Sequence, residues 1–147
     1  MLELKNFIGG RYVPSSSNKT FENIDPVTGE AFAIVHEATE QDVDAAVKAA
    51  ADAYGGEWGR LTVEARVNLL YKVADRINER FDEFLDAECR DTGKPYSLAR
   101  HIDIPRGAAN FNVFADQIAT VSTETFQMAT PDGAGALNYA LRMPRGV

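Results

Sequence analysis

The stretch Thr39-Glu40-Gln41-Asp42-Val43-Asp44-Ala45-Ala46-Val47-Lys48-Ala49-Ala50 is where the apolar pattern of this chain changes from strand alternation to a helical period of about 3.6 residues. Thr39 followed three residues later by Asp42 resembles a capping box, with Asp where Glu or Gln is usual. Val43, Ala46, Val47, Ala50 and Tyr54 then recur at helical spacing, and Gly55-Gly56 stops the helix. The residues before this stretch read as strand, and most of those after it read as helix. The fold class expected is therefore α/β.

Working back towards the N-terminus, Ala31-Phe32-Ala33-Ile34-Val35-His36 and Thr20-Phe21-Glu22-Asn23-Ile24 bracket Asp25-Pro26-Val27-Thr28-Gly29. Proline early and glycine late in that bracket is turn chemistry, so these two segments are expected to pair. Before them, Ser15-Ser16-Ser17-Asn18 is a polar connector. Phe7-Ile8 and Arg11-Tyr12-Val13 flank Gly9-Gly10, which tolerates the positive φ of a tight hairpin.

Working forward, Thr62 caps a second helix whose buried stripe is Val67, Leu70, Tyr71, Ala74, Ile77 and Phe81. A third helix runs from about Asp82 to Asp91, with Gly93 as its left-handed C-terminal residue. A fourth covers roughly Asp103 to Ala119, with Ala108, Phe111, Ala115 and Ile118 on one face and Pro105 confined to the first turn. After the loop Thr130-Pro131-Asp132-Gly133-Ala134-Gly135, Leu137, Tyr139, Leu141 and Met143 alternate with Asn138, Ala140 and Arg142, which is strand periodicity. That strand leads into a glycine turn at Pro144-Arg145-Gly146-Val147. No internal repeat and no domain boundary is visible.

Composition narrows the function classes. The chain has 147 residues and a net charge of −7, which argues against nucleic acid and against an anionic membrane as partners. No run approaches the ~20 apolar residues of a membrane span. The start carries no signal-peptide pattern, and a lone cysteine fits a reducing cytosol. The expected compartment is cytoplasmic.

Few residues carry chemistry. Cys89 is the only thiol, yet it falls in helical register with Phe81, Phe84 and Leu85, as a small buried hydrophobe would. His36 and His101 have no companion at metal-ligand or acid–base spacing. Gly133-Ala134-Gly135 lacks the third glycine and the preceding strand of a dinucleotide fingerprint. Arg106 differs. It sits just after Pro105 in a short cationic neighbourhood with Lys94, Arg100 and His101. It can grip a carboxylate at a helix N-terminus, or simply pair with Asp103 or another carboxylate as a surface arginine.

Six segments, taken in order, resemble the aldehyde dehydrogenase superfamily. They are Phe7–Val13, Asp25–Glu30, Asp42–Ala50, Trp58 with the helix from Arg66 to Ile77, Asp91-Thr92-Gly93-Lys94-Pro95, and Arg142–Val147. The resemblance covers essentially the whole chain. It implies that residues 1–134 are the N-terminal part of the NAD-binding domain: β-hairpins, then three to four helices. Residues 135–147 would begin an oligomerisation arm through which copies of the chain associate, and the catalytic domain is absent.

Asp103-Ile104-Pro105-Arg106, with Asn110-Phe111 and Phe114-Ala115-Asp116, is similar to the branch that oxidises 2-hydroxymuconate and 2-aminomuconate semialdehydes. The resemblance implies that Arg106 holds the carboxylate of an acidic semialdehyde substrate and that Ile102 lines the same tunnel. It also implies a structural cation at the Ile24 carbonyl and Asp91. NAD would accept the hydride, while the nucleophilic cysteine, the oxyanion asparagine and the glutamate base fall after Val147. These residues alone are thus expected to be inactive. A non-catalytic α+β module that self-associates through its C-terminal strand is the alternative.

Overall fold

The computed structural model describes residues 1–143 and Gly146. Pro144, Arg145 and Val147 of the expected glycine turn lie outside the described residues. The N-terminal third is built from strands β1 (Leu2–Leu4), β2 (Asn6–Ile8), β3 (Arg11–Val13), β4 (Thr20–Ile24) and β5 (Ala31–His36). Gly9 and Gly10, at φ 58° and 79°, turn β2 antiparallel onto β3, with Phe7 opposite Tyr12 and their rings packed edge to face. The Asp25–Gly29 turn folds β4 antiparallel onto β5, and Asp25 Oδ1 accepts the backbone N–H of Val27 at 2.8 Å.

β1 was not foreseen. It pairs parallel with β5 and gives a sheet in the order β1-β5-β4. No local signal announces such a pairing, because three residues alternate too briefly to mark a strand.

The helices are α1 (Glu40–Gly55), the single turn α2 (Glu57–Arg60), α3 (Val63–Glu79), α4 (Phe81–Thr92), the short α5 (Tyr96–Leu98), a π-helical turn (Ala99–Asp103) and α6 (Ile104–Thr120). The capping box of α1 is complete. Asp42 N–H donates to Thr39 Oγ1 at 3.2 Å, and Asp42 Oδ2 accepts the Thr39 N–H at 2.9 Å. The same carboxylate accepts the Ser16 N–H, tying the serine connector to the start of α1. Thr62 caps α3 through the Ala65 N–H.

α3 and α6 make the most extensive helix–helix contact. Val67 and Ala74 of α3 and Ala108 and Ala115 of α6 are buried, and small residues on both sides allow the close approach. Tyr71 Oη donates to Asp116 Oδ1 across the pair at 2.5 Å. A second cluster packs Leu85 and Cys89 of α4 against Ala99 and Ile104, with Ile77 and Phe81 at its edge. Apart from Ala99 and Ile104, these are the packing residues the sequence marked, with two differences. Phe111 and Ile118 of α6 remain exposed, and so does the α1 stripe at Val43, Val47 and Ala50. The one side chain of α1 that is buried is Asp42, held by hydrogen bonds rather than by packing.

The C-terminal strand is shorter than the alternation suggested. β7 (Ala136–Tyr139) forms a hairpin with an unforeseen β6 (Thr125–Met128), so one edge of β7 is already paired. Leu141 and Met143, which continue the alternation, lie outside the strand.

Candidate functional site

The candidate site is built by the path from α4 to α6. α4 ends at Gly93 with φ 71°, and a Cβ there would come 2.9 Å from Pro26 Cγ. Only glycine satisfies both the left-handed backbone and the close approach. The chain then turns back through Lys94 and Pro95 into α5 and the π turn. Such turns widen the helix and re-aim the side chains around them. Ile104 points into the Leu85–Cys89 cluster, whereas Ile102 (47% exposed) and Arg106 face outward. Pro105 sits in the first turn of α6, directly after the π turn.

Of the four cations read as a neighbourhood, three are committed. Lys94 Nζ lies 3.0 Å from Glu88 Oε1 and 3.1 Å from Asp103 Oδ2. Glu88 first and Asp103 second raise the lysine's pKa, so it stays charged. Arg100 pairs with Asp82 at 3.1 Å and lies over the Phe81 ring. His101 Nδ1 donates to the Ser97 carbonyl at 2.7 Å. Arg106 makes no hydrogen bond and no ion pair among the described residues. The pairing with Asp103 that the sequence allowed is not formed; Asp103 Oδ2 is instead held by Lys94.

The chemistry available here is recognition. An outward guanidinium at a helix start, one turn from an apolar Ile102, can take a carboxylate on a molecule whose remainder is carbon. Sequence reasoning named Arg106 and Ile102 but not the Lys94 bridge. Glu88 and Asp103 are six residues before and nine after Lys94, spacings that no local rule singles out.

The other candidates fall elsewhere. Asn23 Nδ2 donates to Asp91 Oδ1 at 2.7 Å, which brings the end of β4, and with it Ile24, to the end of α4. Asp91 rims an apolar cleft lined by Leu2, Leu4, Phe32, Phe84, Ala87 and Ile104. A carbonyl and one carboxylate are oxygen donors of the kind a hard cation takes, but too few to enclose it. Among the described residues no group of three or more His, Cys, Asp or Glu could hold a metal.

Cys89 is 5% exposed, and burial first, then the Glu88 and Asp86 charges, push its thiol pKa up. It is the reverse of an activated nucleophile. His36 accepts the Ser15 N–H at Nδ1 and meets Glu3 at Nε2 at 2.9 Å, joining β1, β5 and the serine connector. Gly133 and Gly135 shape the loop before β7, and no glycine loop among the described residues runs from a strand into a helix. No helix among them is long and apolar enough to cross a membrane.

Strand pairs followed by a run of helices are what the resemblance implied, and residues 12–147 match the model of the Aldehyde dehydrogenase family. The chain belongs to that family. It is 60% identical over all of its length to 2-hydroxymuconic semialdehyde dehydrogenase of Pseudomonas sp. (strain CF600), of which it covers 30%. It is 51% identical, again over its whole length and 30% of the relative, to 2-aminomuconic 6-semialdehyde dehydrogenase of a Pseudomonas species. Among solved structures, an NAD+ complex of aldehyde dehydrogenase from Bacillus cereus superposes with a TM-score of 0.85 at 39% identity, over 93% of this chain and 27% of that one. The chain thus spans about 30% of the length of the curated relatives it matches.

Proposed function

We propose that these residues are the N-terminal segment of an NAD-dependent semialdehyde dehydrogenase. Its substrate is an acidic semialdehyde, 2-hydroxymuconate semialdehyde, oxidised to the dicarboxylic acid in aromatic ring-cleavage catabolism in the cytoplasm. The observation that carries this reading is Arg106, outward-facing and without a partner among the described residues in a chain of net charge −7. An acidic substrate approaching such a surface needs a local cation, and Arg106 is the uncommitted one of its neighbourhood. The amino analogue, named in the 51% identical relative, has the same carboxylate.

In this reading Arg106 orients the substrate by its carboxylate, and Ile102 packs against its carbon chain. Residues 1–134 belong to the NAD-binding domain, although NAD itself is held mainly by residues beyond this chain. The nucleophile and general base also lie beyond it, so the 147 residues alone are inactive. The Ile24 carbonyl and Asp91 contribute to a structural cation site completed from outside. The strand from Gly135 onwards starts the arm that joins subunits.

The alternative, a self-associating module, draws on the same exposed hairpin. What favours the dehydrogenase segment is the open apolar stripe of α1, which a self-sufficient module would have buried. The test is Arg106→Ala in the full-length enzyme. The KM for the acidic semialdehyde rises about ten- to a hundred-fold, the loss of a desolvated charge-assisted pair. The KM for an uncharged aldehyde moves by less than about twofold. Equal losses on both substrates remove the anchoring role.

A further inference from the structure

The geometry points to Lys94 as a positioning residue for the proposed anchor: by holding Asp103, it keeps Arg106 free for the substrate's carboxylate. This rests on the reading of Arg106 given above. Asp103 is the only carboxylate within four residues of Arg106 on either side. It stands three positions before the arginine, where side chains on a helix are neighbours. It is the natural competitor for the guanidinium, and an Arg106–Asp103 pair would cancel the charge that attracts an acidic ligand.

The fold prevents that pair by supplying a better partner. Asp103 Oδ2 is 3.1 Å from Lys94 Nζ, and the same ammonium is anchored from α4 by Glu88 Oε1 at 3.0 Å. All three side chains are partly shielded, at 28–37% exposure, so the bridge is screened less than a surface pair. Lys94 follows the fixed left-handed Gly93 and precedes Pro95, which limits where its backbone can go. The π turn ends at Asp103 and lets that residue face Glu88 while Ile102 and Arg106 face away. One lysine between two carboxylates leaves a local surplus of negative charge. Without Lys94, Asp103 has a cation three residues away on either side, and of the two Arg100 already pairs with Asp82 while Arg106 is uncommitted among the described residues.

The test uses the full-length enzyme. Lys94→Met raises the KM for 2-hydroxymuconate semialdehyde about three- to tenfold, because the substrate must now displace Asp103 from Arg106. The KM for an uncharged aldehyde shifts by less than about twofold. Adding Asp103→Asn to Lys94→Met returns the acidic-substrate KM to within about twofold of the parent, and Lys94→Arg preserves it. A crystal structure of Lys94→Met shows the Asp103 carboxylate within ion-pair distance of Arg106. If Lys94→Met does not fold, Lys94→Gln carries the same measurements.

A KM rise shared by both substrates, or no rescue by the second substitution, overturns the role and leaves Lys94 a structural tie. Arg106→Ala in the same assays separates the two ideas. If it discriminates between substrates and Lys94→Met does not, only the present inference fails. If Arg106→Ala does not discriminate, the anchor fails with it, whatever the crystal structure shows of Asp103.

Discussion

The α3–α4–α6 layer and the β6–β7 hairpin both carry apolar residues, but only the layer has a face on which they are buried. In the helical layer Val67, Ala74, Leu85, Cys89, Ala108 and Ala115 are buried against one another, and the polar link between Tyr71 and Asp116 closes the contact. In the hairpin every residue of β6 is exposed, as are Leu137 and Tyr139 of β7, with Phe126 at 59%. Asn138 Nδ2 is shielded there without a hydrogen-bond partner among the described residues. The inner face of that layer is filled by residues of this chain, while its outer face still exposes Val73, Val113 and Phe114, and Arg66 Nε is shielded without a partner among the described residues. A hairpin that leaves aromatic and aliphatic side chains in water, and a shielded amide unpaired, has the surface of an element completed by something else.

The most direct way to break this comparison is Leu85→Ala. Leu85 is 1% exposed and sits at the centre of the α4 cluster. Removing it costs about 2–5 kcal/mol, the usual range for a buried leucine that leaves a cavity. Denaturant unfolding followed by far-UV circular dichroism measures it. A cost below about 1 kcal/mol would mean that the cluster is no more self-sufficient than the hairpin.

α1 lies between the two extremes, because hydrogen bonds at its start hold it while its apolar stripe faces outward. Thr39→Ala removes the cap and costs about 1 kcal/mol, read from the same unfolding curves. A pH titration sharpens the point. The backbone N–H of Thr39, then that of Ser16, holds the Asp42 carboxyl at a pKa of about 2, below its ordinary 3.8, against the opposing effect of desolvation. A carboxylate with a depressed pKa contributes stability that is complete above its unfolded value and is lost as pH falls through the folded one. The contribution therefore persists at neutral pH and disappears between about pH 4 and pH 2. Asp42→Asn flattens that part of the profile, and an unchanged profile would show that the box does not hold α1.

These differences also set what could be read from the sequence. Gly9-Gly10, the Thr39 and Thr62 caps, and Gly93 were legible because each is a local rule about backbone conformation or orphan N–H groups. The α3 stripe was legible because its partner, α6, lies in the same chain. By contrast, β1 and β6 are strands defined by their partners, with too few residues to show a period. The Lys94 bridge joins residues that sequence spacing does not relate. The α1 stripe gave the helix but not its burial, since periodicity reports a face and is silent on what covers it. Arg106 was legible as a candidate because a cation after Pro105 stands out in an acidic chain, yet its freedom depended on Lys94.

The smallest expected effect is the most telling about the hairpin. Phe126→Ser with Leu137→Ser changes the stability of the 147-residue chain by no more than about 0.5 kcal/mol, because both side chains are already in water. In the full-length protein, by the proposed role of this strand, the same pair weakens assembly, seen as a shift to smaller species by analytical ultracentrifugation. β7 already uses one edge on β6, so subunit pairing has its other edge, the outer edge of β6 and the hairpin's apolar faces to use. Serine keeps the backbone able to pair and removes the faces. Loss of assembly would therefore locate the association in side-chain burial, whereas intact assembly would leave the free strand edges of β6 and β7 to account for it. A large loss of stability in the 147-residue chain would instead mean that the hairpin packs on the helices, and the contrast between the two regions would be gone.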